Sequence, residues 1–169
     1  GLSNIERWGV IPTIQRQSVA EHCFNVVNLA RHINEFVEEP SDSRFLMEYA
    51  LDHDIEESFT GDLPSSFKPF VSYDQAQFMQ TKPSTEQIRD IVKLADSLEA
   101  VIFCQREFML GNTMLEEVSK EIWEKVKHHE SKIEWAEGHE NTVQRVMDLR
   151  LFSRIPCMEL YKRMKRGGE

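Results

Sequence analysis

Histidine and carboxylate side chains concentrate between residues 51 and 64, directly after an apolar run. His53 and Asp54 are adjacent, Glu57 follows the histidine by four residues, and Asp62 follows a glycine. Because residues four apart share one face of a helix, we expect His53 and Glu57 to face the same cavity. Burying these groups together is unfavourable unless they pair or bind a cation. The stretch therefore predicts a metal site, although an isolated His-Asp dipeptide is more often an ordinary surface feature.

Two further candidates lie on separate predicted helices, each beside a stripe of apolar residues. His22 lies on a helix that Ser18 is expected to cap. Asp96 lies on a later helix, where Lys93 precedes it by one turn. A single helical histidine is more often structural than a ligand, and Asp96 could form a plain salt bridge with Lys93. Both become ligand candidates only if the fold brings them against the histidine-aspartate pair.

A donor set of two imidazoles and two carboxylates suits a divalent transition metal such as Mn²⁺, Co²⁺ or Zn²⁺. Here the set would be His22, His53, Asp54 and Asp96. Three or four protein ligands leave positions open for a water and a substrate oxygen. A metal lowers the pKa of that water and polarises a phosphoryl oxygen, while a nearby carboxylate orients or deprotonates the water. Glu57 and the aspartate of the adjoining loop are placed for that role.

Basic and aromatic side chains elsewhere suit a phosphorylated nucleoside. Arg7 and Trp8 are adjacent. A guanidinium can bind phosphate while an indole packs against sugar or base. Lys68 lies in the proline-rich loop predicted over residues 64–83. Each residue could equally be a core aromatic or a solvated charge, so the sequence offers them only as candidates.

The apolar periodicity is helical throughout, which predicts an all-α fold. At 169 residues the chain is expected to form a single domain over residues 1–169. Ser84 and Gln87 are expected to form the capping box of the third helix, and His128-His129 is expected to interrupt the later helices. The predicted helices cover residues 18–37, 43–59, 84–111, 114–127 and 139–151.

Net charge, apolar runs and cysteines indicate which partners and which cellular location the chain is suited to. The net charge of −9, from 20 basic and 29 acidic residues, argues against duplex nucleic acid but allows a small phosphorylated substrate. No run of eighteen apolar residues is present and residues 1–6 do not resemble a signal peptide, so we expect no membrane span. Cys23, Cys104 and Cys157 form no Cys-x-x-Cys pair, which favours free thiols in a reducing cytoplasm.

Taken together, these residues resemble the HD-domain phosphohydrolases. The resemblance is closest to the bacterial 5′-deoxynucleotidases and the small phage deoxynucleotide triphosphohydrolases, including those specific for dATP. It covers roughly residues 5 to 105, and the stretch between Lys68 and Ser84 is short for the nucleotidase branch, which favours the phage enzymes. The matching blocks are Arg7-Trp8, Val19-Ala20-Glu21-His22, His53-Asp54-x-x-Glu57-x-x-Thr60-Gly61-Asp62-Leu63-Pro64, Lys68 and Lys93-x-Ala95-Asp96.

The resemblance implies a compact HD-domain helical bundle with a metal site between helices and a deoxynucleotide substrate. Trp8 is implied to pack on the deoxyribose, where a 2′-hydroxyl would clash. A homo-oligomer in the cytoplasm of a bacterial cell or a phage-infected host is also implied. The implied roles are metal ligation by His22, His53, Asp54 and Asp96, catalysis by Glu57 and Asp62, and phosphate contact by Arg7, Lys68 and Lys93.

The reaction itself stays open at this point. A 5′-deoxynucleotidase would release phosphate from a dNMP, and a triphosphohydrolase would release triphosphate from a dNTP. Two other interpretations are an HD-domain hydrolase of another phosphoester, such as a cyclic dinucleotide or an alarmone, and a helical interaction module with a vestigial site. The complete ligand set argues against the vestigial site, and Arg7-Trp8 with Asp62 favours the nucleotidase branch.

Overall fold

The computed structural model describes residues 1–62 and 81–152, with side chains described as far as residue 148. Within these residues the chain forms α-helices, a short 3₁₀ helix and two isolated β-bridges, so the prediction of an all-α fold is confirmed. None of the helices described combines the length and the apolar character needed to cross a bilayer. The elements are the 3₁₀ helix Leu2–Asn4, α1 Val19–Asn34, α2 Ser43–Asp52, α3 Glu57–Thr60, α4 Glu86–Met109, α5 Glu116–Glu130 and α6 Thr142–Phe152.

The longest helix, α4, forms the centre of the core and packs against α1, α2, α5 and α6. Leu94 and Leu98 on α4 are buried in one apolar cluster with Leu29 and Ile33 of α1 and Leu46 of α2. Burying one such side chain contributes about 1.5–3 kcal/mol. This cluster therefore fixes α1, α2 and α4 relative to one another, and these helices carry most of the candidate metal ligands.

Capping residues define where α1 and α4 begin, and the cap of α4 lies one residue later than predicted. Ser18 caps α1 as predicted: its hydroxyl accepts the backbone N–H of Glu21, and the Glu21 carboxylate accepts the backbone N–H of Ser18. The predicted capping box that begins at Ser84 is wrong. The residue that caps α4 is Thr85, because its backbone is extended and its hydroxyl accepts the N–H of Ile88.

Two helix ends differ from the prediction. α1 ends at Asn34 rather than near residue 37, because Val37 forms a β-bridge with Trp135. α5 continues through His128 and His129, so the predicted break there is wrong. Both histidines lie in the last turn of α5, where a basic side chain is compatible with the helix dipole.

The predicted helix over residues 43–59 is divided in the structure. α2 ends at Asp52, His53 is its C-cap, and α3 begins only at Glu57. Between the two helices the chain turns with short-range bonds, such as that from the Glu57 N–H to the Asp54 carbonyl. His53 and Glu57 therefore lie on different elements, so the prediction of one continuous helix is wrong, and that the two side chains face one cavity stays a prediction.

The N-terminal segment, defined as residues 5–17, forms turns and extended stretches and contains no helix. Glu107 on α4 anchors its middle: the two carboxylate oxygens accept the backbone N–H groups of Ile14 and Gln15, each at 2.7 Å. Glu107 is fully buried. This anchor holds the segment that carries Arg7 against the central helix.

Candidate metal centre

Four nitrogen and oxygen atoms from separate parts of the chain converge on one point. The Nε2 of His22 lies 3.1 Å from Oδ1 of Asp96 and 3.6 Å from Oδ2 of Asp54. The Nε2 of His53 lies 3.3 Å from that of His22. It lies 3.4 Å from the Asp54 oxygen and 4.0 Å from the Asp96 oxygen. Ligands about 2.1 Å from one cation lie roughly 3 to 4 Å from each other. His22, His53 and Asp54 have ligand atoms that all lie within 4.8 Å of one another, so these three could share an ion, and Asp96 lies beside the two imidazoles.

Three elements deliver these groups. His22 lies near the start of α1 and is fully buried. His53 caps α2, and its Nδ1 lies 2.7 Å from the carbonyl oxygen of Ala50. Because Nδ1–H donates to that carbonyl, the lone pair of Nε2 is available to the cluster. Asp96, in the middle of α4, has a side chain that is 42% exposed, so the cluster opens to solvent on this side.

The charges around the cluster favour a cation. Burial and the Arg7 guanidinium lower the pKa of His22, but Asp96 and Glu99 raise it more strongly, and it reaches about 9. Burial raises the pKa of Asp96, but contact with His22 and the charge of His53 outweigh burial and hold that pKa below its usual range. Carboxylates that stabilise a proton on an imidazole also stabilise a cation in its place. The donor set therefore fits a divalent transition metal.

A buried carboxylate that the sequence did not single out, Glu99, supports the site from α4. Its Oε2 lies 2.7 Å from Nδ1 of His22 and 3.1 Å from Nη1 of Arg7. One signal was available: Glu99 follows Asp96 by three residues, a spacing that places two side chains on one side of a helix.

Arg7 and Trp8 of the N-terminal segment lie beside the cluster. Arg7 has a side chain only 14% exposed, and its Nη1 contacts Glu99 and, at 3.3 Å, the Oε1 of Gln17. The ring of Trp8 stacks on Phe103, with centroids 5.2 Å apart and planes 9° apart. The structure fixes both side chains through protein contacts, and their contacts with phosphate and sugar stay predictions.

The two carboxylates predicted to act in catalysis lie near these elements. The Oδ2 of Asp62 accepts the backbone N–H of Trp8 at 2.8 Å. This bond helps hold Trp8 at φ 67°, a conformation that residues other than glycine rarely adopt.

Glu57 is buried at the start of α3. Burial, together with the charges of Asp54 and Glu57, raises the pKa of the Cys23 thiol to about 12. The catalytic roles stay predictions.

The two candidate lysines differ in what the structure shows. Lys93 is exposed on α4, one turn before Asp96. The Asp96 carboxylate contacts the two imidazoles, so its interpretation as merely the salt-bridge partner of Lys93 is wrong. Lys68, Cys157 and most of the predicted loop over residues 64–83 lie outside the described residues.

The helical fold that brings together His22, the His53-Asp54 pair and Asp96 agrees with the resemblance of the sequence to the HD-domain phosphohydrolases. Residues 1–80 match the model of a family described as 5′-deoxynucleotidase YfbR-like. The dATP triphosphohydrolase of Cyanophage S-2L is 26% identical over 160 residues, which cover 85% of this chain and 91% of that protein. The 5′-deoxynucleotidase PM0747 of Pasteurella multocida is 26% identical over 141 residues, which cover 66% and 72% of the two chains.

A solved structure agrees at the level of the fold. The Cyanophage S-2L HD phosphohydrolase bound to dA and one catalytic Zn²⁺ ion superposes with a TM-score of 0.68 and 23% identity, over 90% of this chain and 93% of that one. The chain therefore shares its fold with this HD phosphohydrolase. In sequence it is similar to the 5′-deoxynucleotidases and to the phage dATP triphosphohydrolases.

Proposed function

We propose that this protein is a metal-dependent phosphohydrolase of deoxynucleotides. The observation that carries the proposal is the cluster in which each imidazole Nε2, from His22 and His53, lies within 4.0 Å of both carboxylates. The partial exposure of Asp96 leaves this cluster accessible to a phosphate oxygen and a water. The names of the relatives describe enzymes of dATP and of deoxynucleotides, which supports the same substrate class here.

The chemistry divides between the cation and the chain. A divalent cation at this site supplies a Lewis acid for a phosphoryl oxygen and lowers the pKa of a water. The chain orients the two imidazoles, His53 through the Ala50 carbonyl and His22 through Glu99. We assign proton transfer from the attacking water to Glu57, because it is a buried carboxylate that directly follows the turn carrying the candidate ligands.

Selection of deoxyribose is assigned to Trp8. Its ring is stacked on Phe103 and its backbone is bonded to Asp62, so the side chain is held in one position. A fixed ring cannot move away to admit a 2′-hydroxyl, which would favour deoxyribose over ribose. The proposed phosphate contacts are Arg7, Lys68 and Lys93.

Two leaving groups are compatible with this site, a deoxynucleoside from a dNMP or triphosphate from a dNTP. Purified protein is incubated with panels of dNMP, dNTP and the matching ribonucleotides, with Mn²⁺, Co²⁺ or Zn²⁺ added after chelation. Released phosphate and released triphosphate are measured separately. We expect turnover of deoxynucleotides over ribonucleotides, and the product identifies the reaction. Absence of turnover with every metal and nucleotide would overturn the proposed function.

The proposal extends to location and assembly. Cys23 and Cys104 are buried free thiols, which supports location of the protein in the reducing cytoplasm of a bacterial cell or a phage-infected host.

Phe24 and Phe59 are large apolar side chains exposed on the surface, which supports assembly of the protein into a homo-oligomer. Light scattering of the full chain in solution tests the assembly, and a monomeric mass at all concentrations would contradict it.

A further inference from the structure

Glu99 is a buried carboxylate that accepts from four side chains at once. Its side chain is only 4% exposed, although a charged group in that position is costly unless it is fully paired. It lies on α4, one turn after Asp96. The metal cluster and the N-terminal segment meet at this residue.

The two oxygens of Glu99 divide their partners. Oε1 accepts from Nε2 of Gln17 at 2.6 Å and from Nδ2 of Asn25 at 3.1 Å. Oε2 accepts from Nη1 of Arg7 at 3.1 Å and lies 2.7 Å from Nδ1 of His22. One carboxylate therefore joins α4 to α1 and to both ends of the N-terminal segment.

The contact with His22 decides which ring nitrogen is available. Nδ1 of His22 lies against Oε2 of Glu99, which can only accept, and against Nη1 of Arg7, which can only donate. With a cation on Nε2 the ring proton has to lie on Nδ1, and Glu99 is the group there that can accept it. Nε2 is the atom that lies 3.1 Å from Asp96. Glu99 thus presents His22 to the cluster as a ligand, which the wrong tautomer would prevent.

The contact between Glu99 and Arg7 affects the net charge beside the metal cluster. The Arg7 guanidinium also lies against the His22 ring, and a positive charge there opposes a cation on the other side of the imidazole. The negative charge of Glu99 offsets it, leaving the two charges of Asp54 and Asp96 to balance a divalent ion. Removing the carboxylate would leave Arg7 uncompensated beside the site.

We propose that Glu99 is a positioning residue that orients His22, holds Arg7 and so raises the affinity of the cluster for a cation. The proposal rests on the proposed function only in taking the cluster as a cation site. Glu99 is not assigned contact with substrate.

The test compares Glu99→Gln, Glu99→Asp and Glu107→Gln with the unsubstituted chain. Co²⁺ is titrated into the metal-free protein and followed by its visible absorption, with Zn²⁺ competition as a second measurement. We expect Glu99→Gln to lower cation affinity by about 10- to 100-fold and to change the Co²⁺ spectrum. Glu99→Asp keeps the charge and should recover much of the affinity. Glu107→Gln removes another buried carboxylate of α4 that binds the N-terminal segment, and it should leave the Co²⁺ affinity unchanged.

The double variant Arg7→Gln with Glu99→Gln separates charge from folding. It removes the uncompensated guanidinium together with its partner, so it should bind Co²⁺ more tightly than Glu99→Gln alone. Unchanged affinity and spectrum in Glu99→Gln, equal losses in Glu107→Gln, or no recovery in the double variant would each overturn the proposal.

The result is distinguishable from failure of the proposed function. A chain that binds Co²⁺ with the expected differences but hydrolyses no nucleotide supports the role of Glu99 and overturns the function. A chain that hydrolyses deoxynucleotides with Glu99→Gln unaffected in cation affinity supports the function and overturns the role of Glu99. A chain that binds no cation overturns both.

Discussion

Asp54 is the residue that most directly tests the donor cluster, because its carboxylate lies within 3.6 Å of both imidazoles. Changing Asp54→Asn keeps the shape but removes the charge. We expect cation affinity to fall by at least the roughly 10- to 100-fold that loss of an outer partner of a ligand costs, and deoxynucleotide turnover to fall with it. Calorimetric titration with Mn²⁺ or Zn²⁺ measures the first effect and product release measures the second.

The matched control is Asp52→Asn, two residues earlier. Asp52 ends α2 and accepts the hydroxyl of Thr81, which keeps it out of the donor cluster. Its substitution should leave cation affinity within a factor of about two. Equal losses from the two substitutions would show that the helix end matters rather than the Asp54 carboxylate, and would contradict the assignment.

Residue types alone were sufficient to nominate the cluster but not its support. His22, His53, Asp54 and Asp96 could be chosen from the sequence because buried imidazoles and carboxylates require a partner or a cation. Glu99 could not be chosen in this way. Its carboxylate is buried because Arg7, Gln17 and Asn25 donate hydrogen bonds to it, and only the folded chain shows that these residues lie nearby. A three-residue spacing from Asp96 was the single local sign.

At the scale of elements, the sequence did not predict where α2 ends. The periodicity of the apolar residues continues through residues 51–59, and no proline or glycine lies between His53 and Phe59. The helix nevertheless ends at Asp52, where His53 turns its Nδ1 back to the Ala50 carbonyl. Helical spacing therefore predicted helix on both sides of His53 but not the break between His53 and Glu57.

Gly61 is the position in this region where the backbone requires glycine. Its φ of 74° and ψ of 173° fall in a region that is essentially restricted to glycine. A Cβ there would meet no atom within 4 Å, so the cost of Gly61→Ala would come from the backbone alone. We expect a loss of about 1–3 kcal/mol in the free energy of unfolding. The Asp62 bond to Trp8 should weaken as well, which urea unfolding and tryptophan fluorescence would both report.

Gly9→Ala is the control for this substitution. Gly9 also has open space around an added Cβ, but its φ lies outside the left-handed region. It should change the free energy of unfolding by less than about 0.5 kcal/mol. A loss in Gly9→Ala as large as that in Gly61→Ala would mean that the backbone conformation at Gly61 is not the cause.

At the scale of the whole molecule, the fold depends on contacts between residues about a hundred positions apart. Glu107 binds the backbone of Ile14 and Gln15, and Asn112 binds the carbonyl of Pro12. Helical periodicity gave the fold class and most of the helices, because it reports which face of an element is buried. The periodicity does not indicate where the N-terminal segment lies, because that segment has no periodicity and is held by individual polar side chains such as Glu107, Asn112 and Glu99.

The anchor at Glu107 has a pH dependence of defined sign. Burial would raise the pKa of Glu107, but the hydrogen bonds that it accepts from Asn112, Ile14 and Gln15 outweigh burial and hold it below its ordinary value of 4.5. A carboxylate whose pKa is lowered by folding stabilises the folded state above its unfolded pKa. That stabilisation is lost as the pH falls through the folded pKa.

We therefore expect Glu107→Gln to unfold more easily than the unsubstituted chain at pH 7, by about 1–3 kcal/mol, because one buried N–H loses its acceptor. The difference should shrink as the pH falls below 4.5, because the unfolded chain takes up a proton on Glu107 there while the folded chain does so only at its lower pKa. Urea unfolding of both proteins between pH 7 and pH 3.5 measures it. A difference that stays constant over this range would show that the charge of Glu107 does not hold the N-terminal segment, and the route by which the fold places Arg7 and Trp8 would have to lie elsewhere.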